Sequence, residues 1–530
     1  MSQNFDAIVV GAGFAGMAMI QKLQNDNFSV QGFERGDDVG GTWYWNRYPG
    51  CRCDVESLEY SYQFDEALQQ EWRWSERYAS QPEILDYARH VADRYKLRDH
   101  IQFGTTVAAA TWQAAQGHWH ITTDRGDTFT SQFLIMAVGC LSATNTPKIE
   151  GLESFAGKHY HTGAWPHDGV DMQSKRVAVI GTGSSGIQSI PLIAQQAAQL
   201  TVFQRTPNYS LPARNAPLSD AEDQAIKQDY AAFRAKGQLE QAAQGAKYPT
   251  QKDSALKATQ EERQARFESY WQLGGFAFGK SFGDLSTNED ANEIAANFVR
   301  NKIRSIVKDP ATAEKLMPRG KLGCKRLCVD TDYYETYNRE NVELVDINTH
   351  PIERITPHGL ITQGREYKAD IIVFATGYDA MTGSILKCDI TGRDGLSLKE
   401  KWADGPKTYL GLSVAGFPNL FNMTGPGSPS VLANMITGAE QHADFIGDMM
   451  VWMRSQGHRT AETTTAHENA WAGRVNARAD ITFYPTCNSW YLGANVPGKP
   501  RVFMPYVGYP DYVKQTTHVA ENGYVGFELA

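Results

Sequence analysis

Residues 40–54, Gly-Gly-Thr-Trp-Tyr-Trp-Asn-Arg-Tyr-Pro-Gly-Cys-Arg-Cys-Asp, gather side chains that could do chemistry. Trp43, Tyr44 and Trp45 stand beside two glycines, and a Tyr48-Pro49-Gly50 turn delivers one carboxylate, Asp54. Glycine lets backbone approach a ligand closely, and proline stiffens the turn by fixing φ. Flat apolar rings around a single polar group suit a flat heterocycle with a polar edge, which is the shape of an isoalloxazine.

Such a stretch needs a scaffold, and the preceding residues supply one. An apolar strand at 5–10 runs into Gly11-Ala12-Gly13-Phe14-Ala15-Gly16, which opens a helical pattern at 17–23. The glycines permit a tight turn, and the helix N-terminus offers free N–H groups to a pyrophosphate. A second strand at 29–33 ends in Glu34, 23 residues beyond Gly11. A carboxylate there accepts from both hydroxyls of an unphosphorylated ribose and repels a 2′-phosphate, which fits FAD or NAD.

The arrangement recurs. A strand at 176–180 meets Gly181-Thr182-Gly183-Ser184-Ser185-Gly186, a helix spans 187–197, and a strand spans 200–203. At the offset of Glu34 this copy carries Gln204, followed by Arg205 and Thr206. A guanidinium and a hydroxyl in place of the acid are what a 2′-phosphate requires. The expected fold is α/β, with two Rossmann-like dinucleotide-binding domains, one of FAD type and one of NADP type.

The 530 residues suffice for three or four domain-sized units. A composition 42% hydrophobic and 21% charged is ordinary for a globular core, and the net charge of −9 disfavours nucleic acid. Seven cysteines, at 51, 53, 140, 324, 328, 388 and 487, show no metal-ligand spacing, and Cys51-x-Cys53 is too tight for the usual redox pair. Reduced thiols in a cytoplasmic protein are therefore expected. No secretory signal and no apolar run of membrane-spanning length is read, so no membrane association is expected.

Further along, 83–95 has helical periodicity, and strand patterns occupy 101–107, 119–123 and 133–139. Residues 216–317 read as a helical insertion with a capping-box start at Ser219-Asp-Ala-Glu222. Its aromatics Phe267, Tyr270, Trp271, Phe276 and Phe278 are assigned to core. The apolar run 371–377 mirrors 133–139. This suggests an FAD domain of 1–145 plus 378–530, an NADP domain of 152–210 plus 330–377, and an insertion of 211–329. A rigid loop at 425–430 precedes a helix expected over 431–452, and 488–501 reads as a Pro/Gly-rich loop that moves as a unit.

The connector Phe155-x-Gly157-x3-His161-x3-Trp165-Pro166, together with Gly40, Gly41, Trp43, Tyr48, Pro49, Gly50 and Asp54, resembles the type I Baeyer–Villiger monooxygenases, the class B flavoprotein monooxygenases. The likeness runs from about residue 5 to the end. It is greatest to the phenylacetone- and cyclohexanone-oxidising group, with the phenylacetone-type length at 425–440. The resemblance implies that Arg326 is catalytic and that Asp54 pairs with it. Lys325, with Arg205 and Thr206, would hold the 2′-phosphate, and Trp490 would hydrogen-bond NADP. Gly41, Thr42, Trp43, Tyr44 and Trp45 would cover the flavin, with Tyr60, Val107 and Met435 as further FAD contacts. Arg52 and Gln188 would lie along NADP, and Ser430, Val431 and Leu432 would line the ketone pocket. His161 would act on domain conformation.

The implied chemistry is NADPH reduction of FAD, formation of a flavin C4a-peroxide from O2, and attack on a ketone. The tetrahedral (Criegee) adduct, stabilised by Arg326, rearranges to an ester or lactone, and sulfoxidation is within reach of the same oxidant. The partners would be a small ketone and O2, in a monomer or weak homo-oligomer without a metal. An N- or S-oxygenating flavin monooxygenase, a dithiol reductase and a flavin-binding redox sensor remain the alternatives.

Overall fold

A computed structural model describes residues 3–530. The chain is mixed α/β and organised on two main sheets. The first has eight strands, ordered Asp389–Thr391, Val107–Gln113, His118–Thr123, Thr128–Met136, Gln3–Val10, Val30–Phe33 and Ile101–Gln102, with Leu420–Asn422 also paired to Thr128–Met136. Its centre is parallel, since Gln3–Val10 runs with both Val30–Phe33 and Thr128–Met136. The second sheet is parallel throughout, ordered Val342–Asp346, Gln199–Gln204, Arg176–Ile180, Ile371–Phe374 and Lys158–His161. Parallel strands are covered on both faces, which explains why these segments read as unbroken apolar runs. Ala7, Ile8, Val9, Val179, Ile372 and Val373 have no exposed surface.

Strands 389–391 and 420–422 return to the first sheet long after the chain has built the second. The insertion hangs from a short parallel stem, Ser210–Pro212 against Cys328–Asp330, and contains five α-helices, from Asp220–Lys227 to Pro310–Leu316. Ser219 Oγ accepts from Glu222 N, which is half of the expected capping box; the reciprocal motif forms at Thr259 and Glu262. Phe267, Trp271 and Phe278 are core. Tyr270 and Phe276 are partly buried and pack against core clusters, and the Phe276 ring also lies 5.3 Å from the Arg326 guanidinium.

Two further expectations are corrected. The helix expected from residue 431 begins at Met435 and runs to Gln456. Ser430–Leu432 forms a separate 3-10 turn, and Asn434 accepts from Ile436 N as the helix cap, so the chain bends where apolar periodicity alone continues. The cysteines are not all reduced. Cys324 and Cys487, 163 residues apart, are joined with Cα atoms 5.5 Å apart, while the other five are free and buried. Spacing along the chain carries no information about so distant a pairing. Among the described residues no helix is long and apolar enough to cross a membrane, and no His/Cys/Asp/Glu group is placed to hold a metal.

Candidate active site

The two glycine turns each deliver an uncapped helix. Phe14–Asn25 and Ser184–Gln196 have no side chain bonded at their N-termini, whereas Ser219, Thr259, Asn288 and Asn434 cap theirs. Free first-turn N–H groups and the positive end of the helix dipole form an anion site. Gly16 is required there because a Cβ would lie 1.8 Å from Gly11 O.

Glu34 is buried, and its two oxygens accept from Ala12 N at 2.8 Å and Gly36 N at 2.7 Å. Each oxygen keeps a lone pair for a ribose hydroxyl, so this half fits an FAD-type nucleotide. In the other half Gln204 is buried and donates to Lys315 O at 2.7 Å, while Arg205 and Thr206 face solvent. Burial and then the neighbouring Arg205 hold the Lys325 ammonium below the usual lysine range. Among the described residues neither cation has an acidic partner. An unneutralised Arg–Lys pair at a strand end fits a 2′-phosphate. Thr182 Oγ1 donates to Thr206 O at 3.2 Å, Ser184 Oγ lies 3.4 Å from Cys328 Sγ, and Ser185 Oγ lies 3.1 Å from Thr162 Oγ1. A Cβ at Gly183 would meet open space.

The strap 40–54 joins the two halves. Gly40 N donates to Ala12 O at 3.0 Å, and Gly41 lies against Gly13, so the strap starts on the first glycine turn. Thr42–Trp45 makes one helical turn with Trp43 and Tyr44 buried, and Arg35 stacks 4.4 Å from Trp45. Trp43 Nε1 donates to Tyr60 OH at 3.2 Å, and the Phe14 ring lies 6.0 Å from Tyr60. Val107 is buried at the start of its strand.

The strap then reaches the helix of the second turn. Tyr48 OH donates to Gln188 Oε1 at 2.8 Å, and Gln188 Nε2 donates to Arg52 O at 3.0 Å. Gly50 has φ +81° and passes so close that a Cβ would lie 2.3 Å from Gln188 O. The Arg52 guanidinium is committed to Glu76 at 2.6 Å.

Asp54, at the end of the strap, meets Arg326 in a two-pronged pair: Nε to Oδ2 at 2.7 Å and Nη2 to Oδ1 at 2.8 Å. The third guanidinium nitrogen, Nη1, donates to Val431 O at 2.7 Å. Burial works against the Arg326 charge, but Asp54 outweighs it and raises the guanidinium's already high pKa. Arginine therefore stays cationic at any working pH. Phe276, Tyr78 and Tyr248 wall a cleft beside Asp54. Ser430 is buried with its Oγ donating to Thr424 O at 2.6 Å, Leu432 is partly exposed, and Met435 begins its helix. Trp490 packs 4.3 Å from Tyr491, and its indole N–H has no hydrogen-bond acceptor among the described residues.

The family described as pyridine nucleotide-disulphide oxidoreductase matches residues 8–265. A Baeyer–Villiger monooxygenase of Pseudooceanicola batsensis is 42% identical over 98% of this chain and 95% of its own length. A phenazine N-monooxygenase of Lysobacter antibioticus is 40% identical over 99% of this chain and 97% of its own length. Oxidised steroid monooxygenase bound to NADP has a TM-score of 0.95 at 49% identity, covering 99% of each chain. OTEMO in complex with FAD and NADP has a TM-score of 0.96 at 41% identity, covering 100% of each. The chain belongs to the Baeyer–Villiger monooxygenase family.

In this Baeyer–Villiger family member the family connector is also placed. Trp165 is buried, and His161 Nδ1 accepts from Gly163 N at 3.0 Å while Nε2 lies 3.4 Å from Thr376 Oγ1. Burial pushes His161 down to about 4, so it is neutral. Tyr378, whose hydroxyl donates to Asn46 Oδ1, stacks edge-on to His161. Residues 46, 161 and 378 thus tie the strap to the connector and to the chain just beyond strand Ile371–Phe374. Phe276, Val431 O, Tyr378 and the Cys324–Cys487 bond are site features that spacing along the chain did not reveal. The visible signals were the aromatic character of 276 and 378, the two cysteines, and Val431, which the resemblance named only for the ketone pocket.

Proposed function

We propose that this protein binds FAD and NADPH and uses O2 to insert one oxygen atom beside a ketone carbonyl, giving an ester or lactone. The observation that carries the reading is the Asp54–Arg326 pair, set at the end of the strap that connects the two nucleotide turns. FAD, when bound, would accept hydride from NADPH and activate O2. The chain's own residues do the rest. Glu34 and the helix at Phe14 would hold the FAD ribose and pyrophosphate, and Arg205, Thr206 and Lys325 the NADP 2′-phosphate.

Asp54 holds Arg326 in one orientation and offsets the cost of burying its charge. The guanidinium would face the negative charge that develops on oxygen when the ketone carbonyl is attacked. A fixed donor at an oxyanion contributes about 3–4 kcal/mol. Phe276, Tyr78 and Tyr248 would offer ring faces to the ketone in the cleft beside Asp54, which Glu56, Glu59 and Lys280 also line.

A second reading, oxygenation of a nitrogen or sulfur atom, is favoured by the phenazine N-monooxygenase among the relatives. Sulfoxidation by the same site is part of the proposal. A dithiol reductase is disfavoured by the strap cysteines: burial pushes Cys51 up to about 12 and raises Cys53, so neither forms a thiolate nucleophile at neutral pH.

The test is aerobic turnover with NADPH under 18O2, with linear, cyclic and aryl ketones and aromatic N-heterocycles, followed by mass spectrometry. One labelled oxygen beside the carbonyl supports the proposal. Label only at nitrogen moves the enzyme to the second reading, and label only in peroxide overturns both. Arg326→Ala should still let NADPH bleach the flavin yet form no ester; substantial ester would remove Arg326 from the mechanism.

A further inference from the structure

Cys324 and Cys487 bond two segments that the proposed NADP site brings together. Cys324 lies two residues before Arg326 and one before Lys325, and Cys487 lies three before Trp490. Cys324 is the one cysteine of the seven that is not buried, so it is open to small oxidants and reductants. Its N–H donates to Lys321 O, and Lys321, Lys325 and Arg326 surround it in the chain. The thiolate is the reactive form of cysteine.

The segment after Cys487 is tethered at its far end to the crossing between the domains. Asn495 Nδ2 donates to Tyr378 O at 2.7 Å, Lys499 Nζ donates to Ala380 O at 2.6 Å and pairs with Asp379, and Asn145 Nδ2 donates to Asn495 O at 3.3 Å. At its near end the ties to residues 321–326 are few. Among the described residues they are the disulfide, Lys321 stacked 4.4 Å from Phe483, and the Arg326 charge acting on the buried Tyr491 hydroxyl. The covalent bond is the strongest of the three, and it closes a loop of 163 residues that restricts how far the Trp490 segment can depart.

We propose that Cys324 and Cys487 form a reversible redox latch. Oxidised, it fastens the Trp490 loop to residues 324–326 over the NADP site; reduced, it releases the loop. The part concerning NADP rests on the proposed function. Closure begins when the Cys324 thiolate attacks hydrogen peroxide, breaking the O–O bond to give a sulfenic acid and hydroxide. The Cys487 thiol then displaces water as the S–S bond forms. Two electrons pass from the thiols to the peroxide, which leaves as two waters. A dithiol reductant reverses the step by exchange and ends as its own cyclic disulfide.

The test uses the holoenzyme with and without dithiothreitol, and again after hydrogen peroxide treatment. Peptide mapping under non-reducing conditions should find the 324–487 cross-link in the oxidised sample and lose it on reduction. Hydrogen exchange over 484–501 should quicken on reduction. The dissociation constant for NADP+, read from flavin absorbance, should rise about fivefold or more, with kcat at saturating NADPH changing less than twofold. Cys487→Ser should behave as the reduced enzyme without reductant and ignore dithiothreitol, whereas Cys388→Ser should keep the response.

Absence of the cross-link after peroxide overturns the latch, as do equal exchange rates in the two states or equal NADP+ affinities. A dithiothreitol response that survives Cys487→Ser overturns it too. Failure to make ester in either state would count against the proposed function alone, because exchange and cross-linking are read without turnover.

Discussion

Asp54→Ala is the most discriminating perturbation of the site. The carboxylate takes both prongs of Arg326, at 2.7 and 2.8 Å, from side chains that are 25% and 20% exposed. Removing one partner of a fully buried pair costs about 3–5 kcal/mol. Water reaches this guanidinium, and its bond to Val431 O at 2.7 Å survives. Solvent screening and that surviving bond reduce the loss in transition-state positioning to about 2–3 kcal/mol. At about 1.4 kcal/mol per tenfold, ketone oxidation should slow by about 30- to 150-fold.

Asp54→Asn keeps one oxygen acceptor and should lose only about tenfold. The assay pairs anaerobic stopped-flow bleaching of the flavin by NADPH with ester formed per NADPH consumed. Both should fall together, because the strap that carries Asp54 also carries the Tyr48 and Arg52 contacts to Gln188. Turnover of Asp54→Ala within about threefold of the parent enzyme would refute the claim that the pair orients Arg326.

Arg205→Ala should raise KM for NADPH by about tenfold and leave KM for NADH nearly unchanged, because a charge-assisted phosphate contact is worth about 1.5–3 kcal/mol; equal effects on both would remove it from the 2′-phosphate. Gly16→Ala should yield protein with little flavin and a lower Tm, measured by the visible spectrum and melting, since its Cβ would lie 1.8 Å from Gly11 O. Burial holds His161 at about 4 and His442 at about 3, below the usual 6.5. The unfolded chain takes up these protons and the folded chain does not, so the stability these two histidines contribute is full above 6.5 and is lost as pH drops from 6.5 towards 4 for His161 and towards 3 for His442, while the buried Glu440 and Asp330 carboxyls, raised to about 8 and about 7, act in the opposite direction. Urea unfolding of the parent and of His161→Asn across that window should differ in slope, the variant losing less stability as pH falls; equal slopes would mean that His161 does not contribute.

The nucleotide turns were legible because their constraints are local. Glycine spacing, a flanking apolar strand and an acid or its absence at a fixed offset all act within about 25 residues, through backbone geometry that neighbouring residues dictate. Glu34 against Gln204-Arg205 could be read for the same reason. The helix start at Met435 could not, because apolar residues continue through 431 and 432 while Ser430 adopts φ +43° and Asn434 supplies the cap. Periodicity does not register such a bend.

Asp54 and Arg326 are 272 residues apart, Cys324 and Cys487 are 163 apart, and Phe276 meets Arg326 from the insertion. Resemblance to a family named the first pair; the rest came from the folded chain. The amino-acid order by itself determined two dinucleotide turns, their opposite preferences at the ribose, and an aromatic strap ending in one carboxylate. Tertiary structure decided what that carboxylate faces, which ring stacks on the guanidinium, and which two thiols meet. Those contacts form between segments that touch only after both parallel sheets are built and the insertion closes on its stem, and no short-range rule of spacing reaches that far.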